Sequence, residues 1–241
     1  NNTSTKNVTI DNVGSWSGGS LTIASTYTGT LTQSVSMSLS SFSQAAGTYS
    51  AADLNITGSF TRTGGTFTAN TSTLTFNGTS GTSTITDGGS SFYNLVVNGS
   101  GGTWSFADSV TISNNLTVTA GTLRTGKDVV SDVTVTGTLL VNTSGIFIVR
   151  RSSTTGDGAG QTITAGTLTI TGSMHGDAEG FSTTTVGSSS LTAGGSHGGY
   201  GLWRPAATAL ATYGSIDNPT SLGKGGSDLA VNALGGGAIV I

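Results

Sequence analysis

Cysteine is absent from this 241-residue chain, which excludes a disulfide framework, a thiolate nucleophile and a thiolate metal site. Its absence does not fix the compartment. Charge is almost as scarce: charged residues make up 8% of the chain and the net charge is −3. Neutralising phosphates takes a basic surface, and eight Lys and Arg against eleven Asp and Glu do not make one, so nucleic acid is not an expected partner. No apolar run approaches the roughly 20 residues that cross a bilayer, and no membrane span is expected in this segment. The opening Asn1-Asn-Thr-Ser-Thr-Lys6 lacks a signal-peptide pattern, so the chain reads as soluble or already trimmed of its targeting segment. Helical periods are nearly missing as well. Only Ala206 to Thr212, after Pro205, offers one or two turns, and that excludes the usual α/β layouts.

What the chain does have is Ser, Thr and 39 Gly. Low charge with abundant Gly and Ser resembles a disordered linker, but disorder usually comes with high net charge and few β-branched residues. Here Thr, Val and Ile are spaced regularly, and the spacing argues for order. The clearest case is a phrase stated twice. Phe42-Ser-Gln-Ala-Ala-Gly-Thr-Tyr-Ser-Ala-Ala-Asp-Leu-Asn-Ile-Thr-Gly58 is followed by Phe60-Thr-Arg-Thr-Gly-Gly-Thr-Phe-Thr-Ala-Asn-Thr-Ser-Thr-Leu-Thr-Phe-Asn-Gly78. Each copy opens on an aromatic, passes Gly-Thr-aromatic and ends on Leu-x-apolar, the period of a half-buried strand. One unit has too little apolar surface to fold alone, so the units are expected to stack as coils.

Counting onward extends the pattern. Gly-Thr before a bulky apolar residue recurs at Gly29, Gly47, Gly65, Gly102, Gly121, Gly137 and Gly166, with a degenerate copy at Gly81. The steps are 16 to 21 residues except the last, from Gly137 to Gly166, where an excursion is expected. A second series runs Leu54-Asn-Ile, Leu74-Thr-Phe, Leu95-Val-Val, Leu116-Thr-Val and Val133-Thr-Val135. Each coil therefore offers at least two short strands, paired in parallel with the next coil about 4.8 Å away. The expected fold is all-β: a parallel β-helix, or solenoid, of about 18–21 residues per coil. Residues 1–40 read as its N-terminal strands or cap, 41–172 as regular repeats, and 173–241 as glycine-rich loops with final coils.

The late segment changes texture. Gly156-Asp-Gly-Ala-Gly160, Gly194-Gly-Ser-His-Gly-Gly-Tyr-Gly201 and Leu222-Gly-Lys-Gly-Gly226 are glycine-dense, with strand pieces at Gln161-Thr-Ile163, Thr167-Leu-Thr-Ile170 and Ala238-Ile-Val-Ile241. An exposed apolar strand such as the last invites pairing. Either further repeats or a neighbouring subunit is expected to cover it.

Gly65 through Gly78, Phe92-Tyr-Asn-Leu-Val-Val-Asn98 and Asn115-Leu-Thr-Val-Thr-Ala-Gly-Thr-Leu123 resemble the β-helical repeats of very large secreted bacterial surface proteins, the filamentous-haemagglutinin-like adhesins and autotransporter passengers. The block from Gly194 to Ile239 is similar to segments that accompany such repeats. The resemblance implies a right-handed helix placed outside the cell: a structural or adhesive rod that displays loops or associates end to end. It also implies surface glycans or proteins as partners. A likeness of architecture does not carry activity, since β-helices serve as adhesins, spacers, filament subunits and polysaccharide lyases.

Residues able to do chemistry concentrate at Arg150, Arg151, Asp157, His175, Asp177 and Glu179, with His197 and Arg204 beyond. Three readings stay open: a solvated loop region, a divalent-cation site from Asp157, Asp177 and Glu179, and an acid/base site with His175 in a lyase or hydrolase. No Gly-Gly-x-Gly-x-Asp calcium repeat supports the second. The glycine-rich loops lack a phosphate loop's Lys-Ser/Thr ending, and no Gly-x-Ser-x-Gly elbow supports a Ser-His-Asp triad. The chain is therefore read as a non-enzyme, with no catalytic, cofactor-binding or metal-binding residue assigned and no cofactor implied. Tyr49, Phe67 and Trp104 read as core stackers, against the alternative of an outward sugar-binding ladder; Trp16, Tyr200 and Trp203 lie outside the repeat. Recurrent Asn-x-Ser/Thr triplets, among them Asn7, Asn55 and Asn115, read as corner asparagines in stacked ladders rather than as glycosylation sites.

Overall fold

The structure, a computed structural model, describes residues 4–11, 16–152 and 160–176. Among these residues there is no helix. The strands, in chain order, are β1 (Val8–Ile10), β2 (Trp16–Ile23), β3 (Thr30–Gln33), β4 (Met37–Gln44), β5 (Thr48–Ser50), β6 (Leu54–Ile56), β7 (Phe60–Arg62), β8 (Thr66–Thr68) and β9 (Thr73–Phe76). They continue with β10 (Thr82–Thr86), β11 (Ser91–Phe92), β12 (Asn94–Phe106), β13 (Val110–Ile112), β14 (Leu116–Arg124), β15 (Val133–Ile148), β16 (Ile163–Ile170) and β17 (Ser173–His175). Alternation makes them strands. In Thr73-Leu-Thr-Phe76 the two apolar side chains are buried and the threonines are half-buried, because successive side chains leave opposite faces of the strand and a β-branched Thr suits the wet one.

Parallel pairing stacks the strands into a β-solenoid. On one face Leu31, Tyr49 and Phe67 lie in register. On a second, Met37, Leu54, Leu74, Leu95 and Leu116 form one file and Leu39, Ile56, Phe76, Val97 and Val118 the next. On a third, Leu21, Phe42, Phe60, Ile85 and Phe106 are aligned. The second face repeats in steps of 17, 20, 21 and 21 residues. The first face forms a four-stranded sheet of order β1-β3-β5-β8, while the long strands turn corners and join the other faces into a larger sheet. In β12, residues 94–97 pair with β9 and residues 103–106 pair with β10.

The two sequence series resolve differently. Leu54, Leu74, Leu95 and Leu116 do form one file, but Val133 belongs to another: it pairs with Val110, and Val135 with Ile112. The file continues instead toward Leu139, since Thr138 N–H donates to Asn115 Oδ1 at 2.9 Å and Leu139 pairs with Leu168. The Gly-Thr phrase does not mark a single corner. Thr30, Thr48 and Thr66 are stacked on the first face, whereas Thr82, Thr103 and Thr122 are stacked on another. The physical reason is that Gly-Thr serves any tight corner entering a strand, and coils of unequal length move that corner between faces.

Aromatics fill the interior of the early coils. Phe42 and Phe60 stack at 4.8 Å with planes 9° apart, and Tyr49, Phe67 and Phe92 pack around them at 4.9–6.3 Å. Two coils on, Trp104 lies 5.9 Å from Phe76 and donates its indole N–H to Gly58 O at 3.2 Å. Glycine is required beside it: a Cβ on Gly99 would stand 2.0 Å from Gly78 O and 2.6 Å from the Trp104 ring.

The chain divides into two compact units. The coils belong to the first, which contains Asn1–Thr125, Ser131–Phe147 and Thr162–Met174. The second contains Gly126–Val130, Ile148–Gln161 and His175–Ile241. In its described part Arg151 Nε meets Asp128 Oδ1 at 2.7 Å, and Gln161 Nε2 donates to the carbonyls of Gly126 and Val129. The expected turns at Ala206 to Thr212, the glycine-rich stretches from Gly194 and Leu222, and the strand at Ala238 to Ile241 lie outside the described residues.

Candidate functional site

The most distinctive chemistry in the coils sits at one corner and follows from a pattern of three. Phe42-Ser-Gln44, Phe60-Thr-Arg62, Ile85-Thr-Asp87 and Phe106-Ala-Asp108 each place a polar residue two positions after a buried apolar one. Residues i and i+2 of a strand share a face, so Gln44 and Arg62, at the ends of β4 and β7, are directed toward the interior, and Asp87 and Asp108 follow in the turns after β10 and β12. Gln44 pairs with Arg62, and hydrogen bonds place Asp87 beside Arg62 and Asp108 beside Asp87. Gln44, Arg62 and Asp87 are 0%, 3% and 1% exposed; Asp108 is half-buried.

A buried guanidinium is tolerable only with its donors satisfied. Arg62 meets that condition on all five N–H. Nε donates to Gln44 Oε1 at 3.0 Å, one Nη to Asp87 O and Ser90 Oγ, and the other to Gly65 O at 2.7 Å and Gly64 O at 3.4 Å. Its guanidinium carbon also lies 6.0 Å from the centre of the Phe67 ring. Gln44 Nε2 in turn donates to Thr66 O, Gly47 O and Ala46 O at 3.0, 3.2 and 3.4 Å. Asp108 grips the preceding coil through both oxygens, accepting from the N–H of Asp87 at 3.2 Å and of Gly88 at 3.1 Å. Asp87 Oδ1 accepts from Gly89 N–H at 2.9 Å.

The charges are unequal: one cation faces two carboxyls. Burial, with Asp108 adding to it, pushes the Asp87 carboxyl up to about 6, against the opposing pull of the Gly89 N–H and of Arg62. Burial lowers Arg62, while Asp87 and Asp108 act the other way. Because every Arg62 N–H already has an acceptor, the guanidinium offers no free donor to an anion. The corner ties coils together; it is not an open binding cleft.

Two further polar files do the same work. Gln33 donates to Val35 O and Asp53 O, both at 2.8 Å, and accepts from the Tyr49 hydroxyl and from Ala52 N–H. Burial raises the Tyr49 phenol. On the second face Asp53 Oδ1 takes Thr73 N–H at 2.8 Å, Asn94 Oδ1 takes Asn114 Nδ2 at 2.9 Å and Asn115 N–H at 3.3 Å, and Asn115 Oδ1 takes Thr138 N–H. Of the asparagines expected at stacked corners, Asn115 takes this role and Asn7 Oδ1 accepts from Thr30 N–H at 2.9 Å, whereas Asn55 lies in the middle of β6 and not at a corner.

Of the residues singled out for chemistry, Arg150, Arg151 and His175 are described. Arg151 pairs with Asp128, and His175 lies on β17 with its carbonyl accepting from Val149 N–H. Asp157, Asp177, Glu179, His197 and Arg204 lie outside the described residues, as do Tyr200 and Trp203. Among the described residues no group of three or more His, Asp or Glu is placed to hold a metal ion. Tyr49, Phe67 and Trp104 are 0%, 7% and 1% exposed, which makes them core and not an outward ladder for sugars. A cavity of about 340 Å³ opens at the first coils, lined by Val8, Leu21, Ile23 and Leu31. The polar corner was not singled out in the sequence, although its signal is there: a polar residue two positions after a core apolar one, repeated in successive copies of the repeat. No family model, curated protein or solved structure matches the chain.

Proposed function

We propose that the chain is an extracellular structural segment, a stack of coils that gives a surface protein or filament its length and displays loops or adhesive surfaces. One observation carries this reading: polar side chains in the described coils are used to join one coil to the next. Gln33, Gln44, Arg62, Asp53, Asn94, Asp108 and Asn115 each bond to a residue about one coil away. Continuous apolar files and cross-coil hydrogen bonds resist local opening, and a nearly chargeless hydroxyl surface gives proteases few Lys or Arg to cut. The sequence likeness to adhesin and autotransporter repeats supports the placement outside the cell.

Growth by end-to-end contact between copies belongs to the same proposal. It is supported by the regular parallel stacking of the coils, whose apolar files a further coil can extend. Immunogold electron microscopy of the producing cells, with antibody raised against the coils, tests the proposal. Label on stalks or filaments at the outer surface is expected; label confined to the cytoplasm overturns it.

A further inference from the structure

We propose that the Asp87–Ser90 corner is a pH-operated clasp, closed when one proton is held between the Asp87 and Asp108 carboxyls and loosened when that proton leaves. The two carboxyls meet at a turn that both neighbouring coils hold. Asp87-Gly-Gly-Ser90 turns tightly, with φ of +58° at Gly88 and +80° at Gly89, and it is gripped from both sides. From the coil on one side Arg62 donates to Asp87 O and Ser90 Oγ; from the other, Asp108 accepts the N–H of Asp87 and Gly88.

The charged groups facing Asp87 are Arg62 on β7 and Asp108 in the turn after β12. With both carboxyls ionised the file holds two negative charges against one guanidinium, whose N–H donors are all directed to other oxygens. With Asp87 neutral the three groups sum to zero, and its acidic proton has a neighbouring acceptor in Asp108. Low local dielectric favours the balanced state.

The direction of the effect follows from linkage. The folded carboxyl of Asp87 sits near 6, above its ordinary 3.8. The stability it contributes is full below about pH 4 and is lost as pH rises through about 6. The corner therefore tightens in mildly acidic surroundings and slackens at neutrality.

Two measurements on the intact chain test the clasp: carbon-13 titration of the Asp carboxyls, and protection of the Asp87 and Gly88 amides, which Asp108 holds, from hydrogen exchange, corrected for intrinsic rates. Asp87 is expected to titrate near 6, and amide protection to fall by up to about 100-fold between pH 4 and pH 7.5, the ratio set by the two carboxyl values. In Asp87→Asn, whose amide donates to Asp108 permanently, protection is expected to stay at its acidic level throughout. An Asp87 that titrates in the ordinary carboxylate range overturns the proposal, and the wild-type titration decides even if the variant does not fold. Protection that is independent of pH in the wild type, or that keeps its pH dependence in Asp87→Asn, overturns it too.

Discussion

Replacing Arg62 with methionine isolates what the buried corner contributes. Methionine keeps much of the apolar stem and its packing near Phe67 but removes five N–H donors. Gln44 Oε1 and Gly65 O then lose short bonds of 3.0 and 2.7 Å and Gly64 O a longer one. Asp87 O retains a 3.3 Å bond from Ser90 N–H. A hydrogen bond to a charged group contributes about 1.5–3 kcal/mol, and breaking a buried charged network from one side costs about 3–5 kcal/mol even after the cation's own desolvation is recovered. The expected loss is about 4 kcal/mol at pH 7.5. For a unit of this size that corresponds to a fall in Tm of roughly 10 °C by calorimetry. The loss should also depend on pH. Arg62 favours the ionised form of Asp87, so without it ionising that carboxyl costs more, and the deficit is larger at pH 7.5 than at pH 5. A fall of less than about 2 °C at pH 7.5 would refute the network as a source of stability. Equal deficits at the two pH values would refute the electrostatic part alone.

Other substitutions probe the remaining interactions. Gly121 has φ of +85° and its Cβ would lie 2.2 Å from Gly99 O; Gly121→Ala should cost about 2–3 kcal/mol in urea unfolding, through left-handed strain plus backbone displacement. Phe60→Ala empties the centre of the aromatic cluster, with an expected loss of about 3–5 kcal/mol; a loss below about 1 kcal/mol would mean the cluster does not pack as described. Tyr49→Phe removes the hydroxyl bond to Gln33, which keeps Ala52 N–H at 3.3 Å, so the cost should be about 1 kcal/mol. Burial raises the Tyr49 phenol above its ordinary 10.0; the stability it contributes is full below about pH 10 and lost above, so alkaline melting curves of Tyr49→Phe should fall less steeply than those of wild type.

The sequence reveals the coil because the apolar files are periodic. Leu54, Leu74, Leu95 and Leu116 repeat at nearly constant steps, and any fold that buries one must bury all. Which corner a given Gly-Thr marks is less legible, because the phrase encodes only a tight turn into a strand. From Gly65 to Gly81 the chain passes from the first face to a corner serving another, and no residue type announces that change. Val133-Thr-Val135 is ambiguous for the same reason: Val-x-Val fits several faces equally well, and only the pairing of Val133 with Val110 and of Val135 with Ile112 separates them.

The polar corner shows how such an ambiguity is resolved in the molecule itself. Apolar files alone exclude a one-residue slip, which would turn every inward side chain outward, but tolerate a slip of two, which keeps the same face inward. A guanidinium with five acceptors does not. If Phe60 were paired two residues away, Arg62 would miss Gln44 Oε1 on one side and Ser90 on the other, leaving a buried charge without partners. The polar residues cost desolvation and return register. That explains why they occupy inward positions where a purely hydrophobic choice would pack as well, and why a single cation is shared by three successive coils. It also explains why the coil of Asp87 uses a proton: a second arginine at that corner would restore charge balance but would need five more acceptors, and the turn from Asp87 to Ser90 already directs its carbonyl and hydroxyl to Arg62.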